Sequence, residues 1–259
     1  MTLPGLDVST YQATTPPLAG FAFMFARATY NLSPDARYDQ HMAAAKAAGI
    51  VRGAYHFGTG ASTPQAQASA FLASAHDAQI LALDLEGDPH PMTQPQAALF
   101  ISTVRATDPL HRKIGLYHSL SGFPSGIGQD FNWVAAWQAT APVVPWAFWQ
   151  FTSSGSVPGY AGHLDLDQFN GTQAQLNAMA GIVPPVGPHV RVASNPFQTY
   201  TVRSGIVIGN TARREPVGTI IPVDPHTTAK HGVRVLYLVT GGTYKNLYVW
   251  PHGALPYSA

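Results

Sequence analysis

The chain has 259 residues, 46% of them apolar and only 10% charged, and its 14 Lys and Arg nearly balance its 13 Asp and Glu. That is enough apolar material for one barrel-sized domain and a smaller one, and it excludes both a disordered chain and a polycation built for nucleic acid. With no cysteine, disulfides, thiol nucleophiles and thiolate metal sites are excluded too, and no apolar run reaches the ~18 residues of a membrane-spanning helix.

Strand-like runs fall at residues 5–8, 21–27, 51–57, 79–86, 113–118, 133–137, 146–151 and 164–169, and helix-like segments alternate with the earlier ones. This is the rhythm of a parallel α/β architecture, and eight strands suffice for a barrel. Helices are expected at 38–48, ending on Gly49, at 63–77, opening on the cap pair Thr63-Pro64, and at 94–107. Beyond Phe131 the spacing leaves little room for long helices, so the last part of the barrel should be irregular. A closing helix over 172–180 stops at Gly181, and Val183-Pro184-Pro185-Val186-Gly187-Pro188 reads as a stiff linker.

The expected organisation is therefore a first domain over 1–182, the linker over 183–188 and a second domain over 189–259. In the second, short β runs at 198–203, 205–209, 217–223, 233–240 and 246–250 predict a small all-β, SH3-like domain. Charge divides the same way. Residues 1–188 carry 7 basic and 11 acidic side chains, residues 189–259 carry 7 and 2, so the second domain suits an anionic polymer.

The most informative stretch is Gln79-Ile80-Leu81-Ala82-Leu83-Asp84-Leu85-Glu86-Gly87. A strand sends residues i and i+2 to the same face, so Asp84 and Glu86 should leave its end side by side. Like charges held close raise the proton affinity of one of them, and one site can then hold an ionised and a protonated carboxyl. Glycoside hydrolysis needs that division, a proton for the leaving oxygen and negative charge near the anomeric carbon. Alone, the pattern also fits a surface pair at a strand end.

Four motifs in order weigh against that reading. They are Gly5-Leu6-Asp7-Val8-Ser9-Thr10-Tyr11-Gln12, the run Ala48 to Phe57 with Tyr55-His56-Phe57 at its end, Ala82-Leu83-Asp84-Leu85-Glu86, and Trp149-Gln150-Phe151 followed by Leu164-Asp165-Leu166-Asp167-Gln168-Phe169-Asn170-Gly171. From Gly5 to Gly171 the chain resembles the glycoside hydrolase family 25 lysozymes. The resemblance implies an irregular (β/α) TIM-like barrel with an acidic groove, cleaving the β-1,4 bond between N-acetylmuramic acid and N-acetylglucosamine without a cofactor. It places Glu86 as general acid, Asp84 as partner carboxylate, and Asp7 and Asp165 as the remaining acids. Asp167 stands where the family commonly has asparagine. Arg27-Ala28-Thr29-Tyr30-Asn31 departs from the family's Lys-Ala-Thr-Glu-Gly, and losing that glutamate changes the floor or edge of the groove.

A sugar ring packs its apolar face on flat side chains. Tyr55, Phe57, Tyr117, Trp137 and Trp149 lie near predicted strand ends; Tyr55, Tyr117 and Trp137 are expected to contact substrate, with Gln150 and Asp167 as polar partners. His56, His118 and His163 raise a zinc-amidase alternative, but none shows the i, i+4 pairing of a helical zinc site, and no metal is expected. A non-catalytic sugar-binding protein on the same fold is the other alternative. The expected partner is bacterial peptidoglycan, with an anionic wall polymer for the second domain and neither nucleic acid nor membrane. The N-terminus has no basic segment leading into an apolar one, so the expected route to the wall is release of a phage endolysin-like enzyme at host lysis, with a bacterial enzyme exported another way as the alternative. Whether configuration is retained or inverted, or the substrate's acetamido group is the nucleophile, stays open.

Overall fold

A computed structural model describes residues 2–87 and 90–182 in full and, after residue 188, the backbone of seven strands. The chain forms two compact units, residues 1–182 and 183–259. In the first, strands β1 (Leu3–Val8), β2 (Phe23–Tyr30), β3 (Ser33–Pro34), β4 (Val51–Phe57), β5 (Ile80–Asp84), β6 (Ile114–Ser119), β7 (Phe131–Ala135), β8 (Phe148–Gly155) and β9 (Leu164–Phe169) make one sheet. Its order is β1-β9-β8-β7-β6-β5-β4-β2-β3, and a β1–β2 pairing closes eight of the strands into a barrel. β3 is a short hairpin appended to β2.

The barrel is mixed, which corrects the all-parallel expectation. Pairs from β1–β2 round to β7–β8 are parallel, but β9 runs antiparallel to both β8 and β1. The reason is connection length. Only residues 156–163 separate β8 from β9, too few for the crossover a parallel pair requires, so the chain turns straight back. The N-terminal end of β9 thereby joins the C-terminal ends of the other seven.

Helices α1 (Tyr38–Ala48), α2 (Pro64–Ser74) and α3 (Gln94–Thr107) cover the outside, and α4 (Gln173–Met179) follows β9. Thr63 caps α2 by accepting from the Ala66 N–H, Thr93 and Gln96 form a capping box on α3, and Gly49 ends α1 at φ 71°. The second helix ends three residues earlier than predicted. Arg112, paired with Asp108, donates to the carbonyls of Ala75 and Ala78 and fixes a turn there instead.

Strand alternation sorts the core into two layers. Leu6, Met24, Ala26, Leu81, Leu83 and Leu116 point outward onto Phe71 and Phe100 of the helices. Phe23, Phe25, Phe131, Trp133, Phe148 and Phe169 point inward and pack with Leu176 of α4. A side chain at Gly5 or Gly53 would collide with the ring of Phe23 or Phe25, so these glycines let interior rings lie against the neighbouring strand.

In the second unit the strands are β10 (His189–Val192), β11 (Phe197–Arg203), β12 (Ile206–Arg213), β13 (Ile220–His231), β14 (Arg234–Val239), β15 (Tyr248–Val249) and β16 (Ala254–Tyr257). They form an antiparallel sheet in the order β12-β11-β15-β14-β13-β10-β16. The expected linker over 183–188, and the expected strand residues 205, 217–219, 233, 240, 246–247 and 250, lie outside the described residues.

Candidate active site

The inward positions change character at one end of the barrel. On β1 Gly5 gives way to Asp7, on β2 Phe23 and Phe25 to Arg27, on β5 Ile80 and Ala82 to Asp84, and on β8 Phe148 to Gln150. Pairing registers set these groups around one ring. Asp7 lies opposite Asp165, Arg27 opposite Tyr55, and Asp84 between Phe57 and Tyr117.

A cavity of ≈ 260 Å³ opens here, lined by Asp7, Asp84, Glu86, Asp165, Tyr55, Tyr117, Trp137 and Gln150 among others. Eight of the nine expected site residues thus come together. A second open cavity of ≈ 640 Å³ adjoins it, and Glu86, Tyr117 and Trp137 line both. The ninth residue, Asp167, lies deeper on β9, buried beneath the cavity, where the Trp133 indole donates to it at 2.7 Å. The acid pair also differs from a simple strand end. β5 stops at Asp84, so Asp84 is buried while Glu86, two residues beyond, stands exposed on the rim.

Gln150 ties the floor together. Its Oε1 accepts from the Tyr117 hydroxyl at 2.9 Å and from the Trp137 indole at 3.0 Å, and its Nε2 donates to Asp7 Oδ2 at 2.8 Å. The indole N–H can only donate, which fixes the amide orientation and obliges the nitrogen to face Asp7. Trp137, 66% exposed, is thereby anchored to a buried carboxyl through one amide.

Burial dominates the electrostatics. It raises the proton affinity of Asp84, the Glu86 charge adds to that, and Arg27 opposes it. Asp7 is raised by burial and then by Asp167 and Asp165, against the Gln150 hydrogen bond. Asp165 is pushed to about 6 by burial and Glu86. Asp167 is pushed to about 8, chiefly by burial, while the Trp133 hydrogen bond opposes the shift. Asp7 and Asp167 act on each other, the Asp167 charge raising Asp7, so their titrations are linked.

The histidines are scattered. His56 faces outward, buried between Thr29 at 2.7 Å and Gln67 at 3.0 Å and stacked on Phe100; burial lowers it to about 4. His118 lines the second cavity, and His163 is exposed. Among the described residues no group of three His, Cys, Asp or Glu is placed to hold a metal ion. Trp149 points away from the cavity and donates to the Ala136 carbonyl.

Sequence reasoning missed Arg27, Tyr11, Ser9 and Trp133 as lining residues. For Arg27 the signal was available: it continues the inward series Phe23, Phe25 by two more residues.

With the geometry in place, the chain can be set beside known proteins. The sequence model described as glycosyl hydrolases family 25 matches residues 6–160. Lysozyme M1 of Streptomyces globisporus is 32% identical over 208 residues, 68% of this chain and 70% of that one. Among solved structures, the bacterial lysozyme from Streptomyces coelicolor is 30% identical with a TM-score of 0.60, covering 70% of this chain and 98% of its own. The catalytic domain of endolysin ply40 from bacteriophage P40 of Listeria monocytogenes is 22% identical with a TM-score of 0.60 over 70% and 98%, a likeness of fold. A closed eight-stranded mixed barrel, an acid-lined cavity at its strand ends and these matches agree: the chain belongs to the glycosyl hydrolases family 25.

Proposed function

We propose that the protein is a peptidoglycan hydrolase, a muramidase that cleaves the β-1,4 bond between N-acetylmuramic acid and N-acetylglucosamine. The observation that carries the residue roles is the placing of Glu86, exposed on a rim shared by two cavities, above a buried Asp84. A glycan lying across that rim puts its scissile oxygen within reach of Glu86, which gives up its proton as the C1–O bond breaks. Negative charge beneath the ring then stabilises the oxocarbenium-like centre, and Asp84 supplies it when ionised, a state Arg27 favours. Asp7 and Asp165 complete the acidic floor, and water supplies the hydroxyl that ends on C1. Tyr55, Tyr117 and Trp137 offer rings to the sugar.

The test is turbidity and reducing-end release on purified cell walls. Wild type should clear them, and Glu86→Gln, a change at an exposed position, should slow release about 10²- to 10⁴-fold. Both proteins inert would favour a sugar-binding module, and new amino termini in place of reducing ends an amidase.

We propose further that the second unit is an SH3-like wall anchor, with residues 183–188 as the linker to it. Its support is the excess of 7 basic over 2 acidic residues in 189–259, and tethering would raise the effective concentration of the barrel along an insoluble polymer. Pelleting of the full chain with walls should weaken as salt rises, and salt-independent pelleting would remove the anionic-polymer role. Action at the wall after host lysis is the corresponding place of work.

A further inference from the structure

Arg27 lines the ≈ 260 Å³ cavity as a cation among four acids. Its Nε donates to Asp35 at 2.8 Å, and the Tyr11 ring lies 5.3 Å from its guanidinium carbon. The Asp35 side chain is fully buried and itself fixed, accepting also from the Thr10 N–H at 3.0 Å and the Arg37 N–H at 2.9 Å. The guanidinium is thus held by one edge and one face. Its two terminal nitrogens have no hydrogen-bond partner among the described residues, although the side chain is only 12% exposed. Nearby in the same cavity Asp84 Oδ1 is buried and also without a partner.

A purely structural ion pair closes on itself, as Arg112 and Asp108 do with four further hydrogen bonds around them. Arg27 instead leaves a planar fork of donors open to the space a ligand must fill. Those donors face the cavity, so a ligand that displaces water from it must offer an oxygen in exchange or leave them unsatisfied. We propose that Arg27 is a substrate-recognition residue whose terminal nitrogens donate to a carbonyl or carboxylate oxygen carried by the sugar lying over Asp84. The proposal rests on the muramidase reading. In that polymer such an oxygen is found on the acetamido group of each sugar and on the lactyl arm of muramic acid. The rigid mount matters because a fork fixed before binding loses little entropy when it engages.

Binding separates this role from chemistry. Dissociation constants are measured on a Glu86→Gln background, which keeps Asp35 and with it the mount, with and without Arg27→Met. Three ligands are used: soluble peptidoglycan chains, the same chains stripped of peptides to leave lactyl carboxylates, and the tetramer of N-acetylglucosamine. Arg27→Met should raise Kd about 10- to 100-fold. A rise confined to the two lactyl-bearing ligands assigns the lactyl arm; a rise on all three assigns the acetamido group. Kd values within twofold on every ligand overturn the proposal. Should that variant fail to fold, Arg27→Lys in the Glu86→Gln protein keeps the charge but loses the fork, and about a tenfold rise is expected, no rise being the overturning result. Reducing-end release by wild type is read separately. An inert wild type with Arg27-dependent Kd removes the hydrolase and leaves recognition standing; an active one with Arg27-independent Kd does the reverse.

Discussion

Two halves of one barrel interior are built from the same strands by the same alternation, yet they hold opposite kinds of energy. The lower half packs Phe23, Phe25, Phe131, Phe148 and Phe169 with Leu176, all buried, and each such ring contributes about 1.5–3 kcal/mol by leaving water. The upper half buries Asp7, Asp84 and Asp167, whose raised proton affinities measure the cost of holding carboxyls away from solvent. Trp133 stands at the boundary. Its ring stacks 4.5 Å from Phe25 on one side, and its N–H serves Asp167 on the other. The contrast teaches that the lower half stabilises a scaffold stiff enough for the upper half to keep acids where water would otherwise disperse them.

The strongest way to break that division is to remove a ring from the lower half. Phe148 is fully buried with four aromatic neighbours, Phe23, Phe25, Phe131 and Phe169, at ring distances of 4.9 to 5.3 Å. Phe148→Ala should destabilise the barrel by about 3–5 kcal/mol in denaturant unfolding. The molecules still folded should keep a rate of wall hydrolysis within a few-fold of wild type. A loss of turnover with unchanged stability would mean that the two halves are not separable.

The lower half was legible in the sequence and the upper half only partly so. Strand-like apolar runs predicted every barrel strand, because one face meets helices and the other the barrel axis and both are therefore apolar. Direction is another matter. Nothing in Leu164-Asp165-Leu166-Asp167 says which way β9 runs, and only the eight-residue connection before it held that information. Depth was hidden as well. Asp165 and Asp167 share the inward face, but the second lies one step further in, so it meets Trp133 and Asp7 where the first meets the cavity. The inward direction of Arg27 was legible, since it continues the series Phe23, Phe25, but its setting was not. Its role depends on Asp35 and Tyr11, which approach it from a hairpin and a loop that no strand pattern encodes.

Asp167→Asn is the smaller and sharper test, because it removes a buried acid from the upper half and leaves its shape. The replacement oxygen can still accept from Trp133. The native carboxyl is held at about 8 against an unfolded value near 3.8, so its linkage runs opposite to that of a salt-bridged acid. Below about pH 4 both folded and unfolded chains are protonated there, and the native acid costs nothing. As pH rises toward 8 the unfolded chain ionises freely while the folded one resists, and stability is lost across that window. The variant escapes this loss. Its stability relative to wild type should be near zero at pH 4 and reach about 1–3 kcal/mol in its favour by pH 8. His56, lowered to about 4 by burial, pulls the other way, since stability it contributes above its unfolded value is lost as pH falls. It does so in both proteins, so it cancels in the difference. Denaturant unfolding of the pair across this range reads that difference directly, and a flat profile would show that Asp167 ionises without hindrance and that the upper half stores no such cost there.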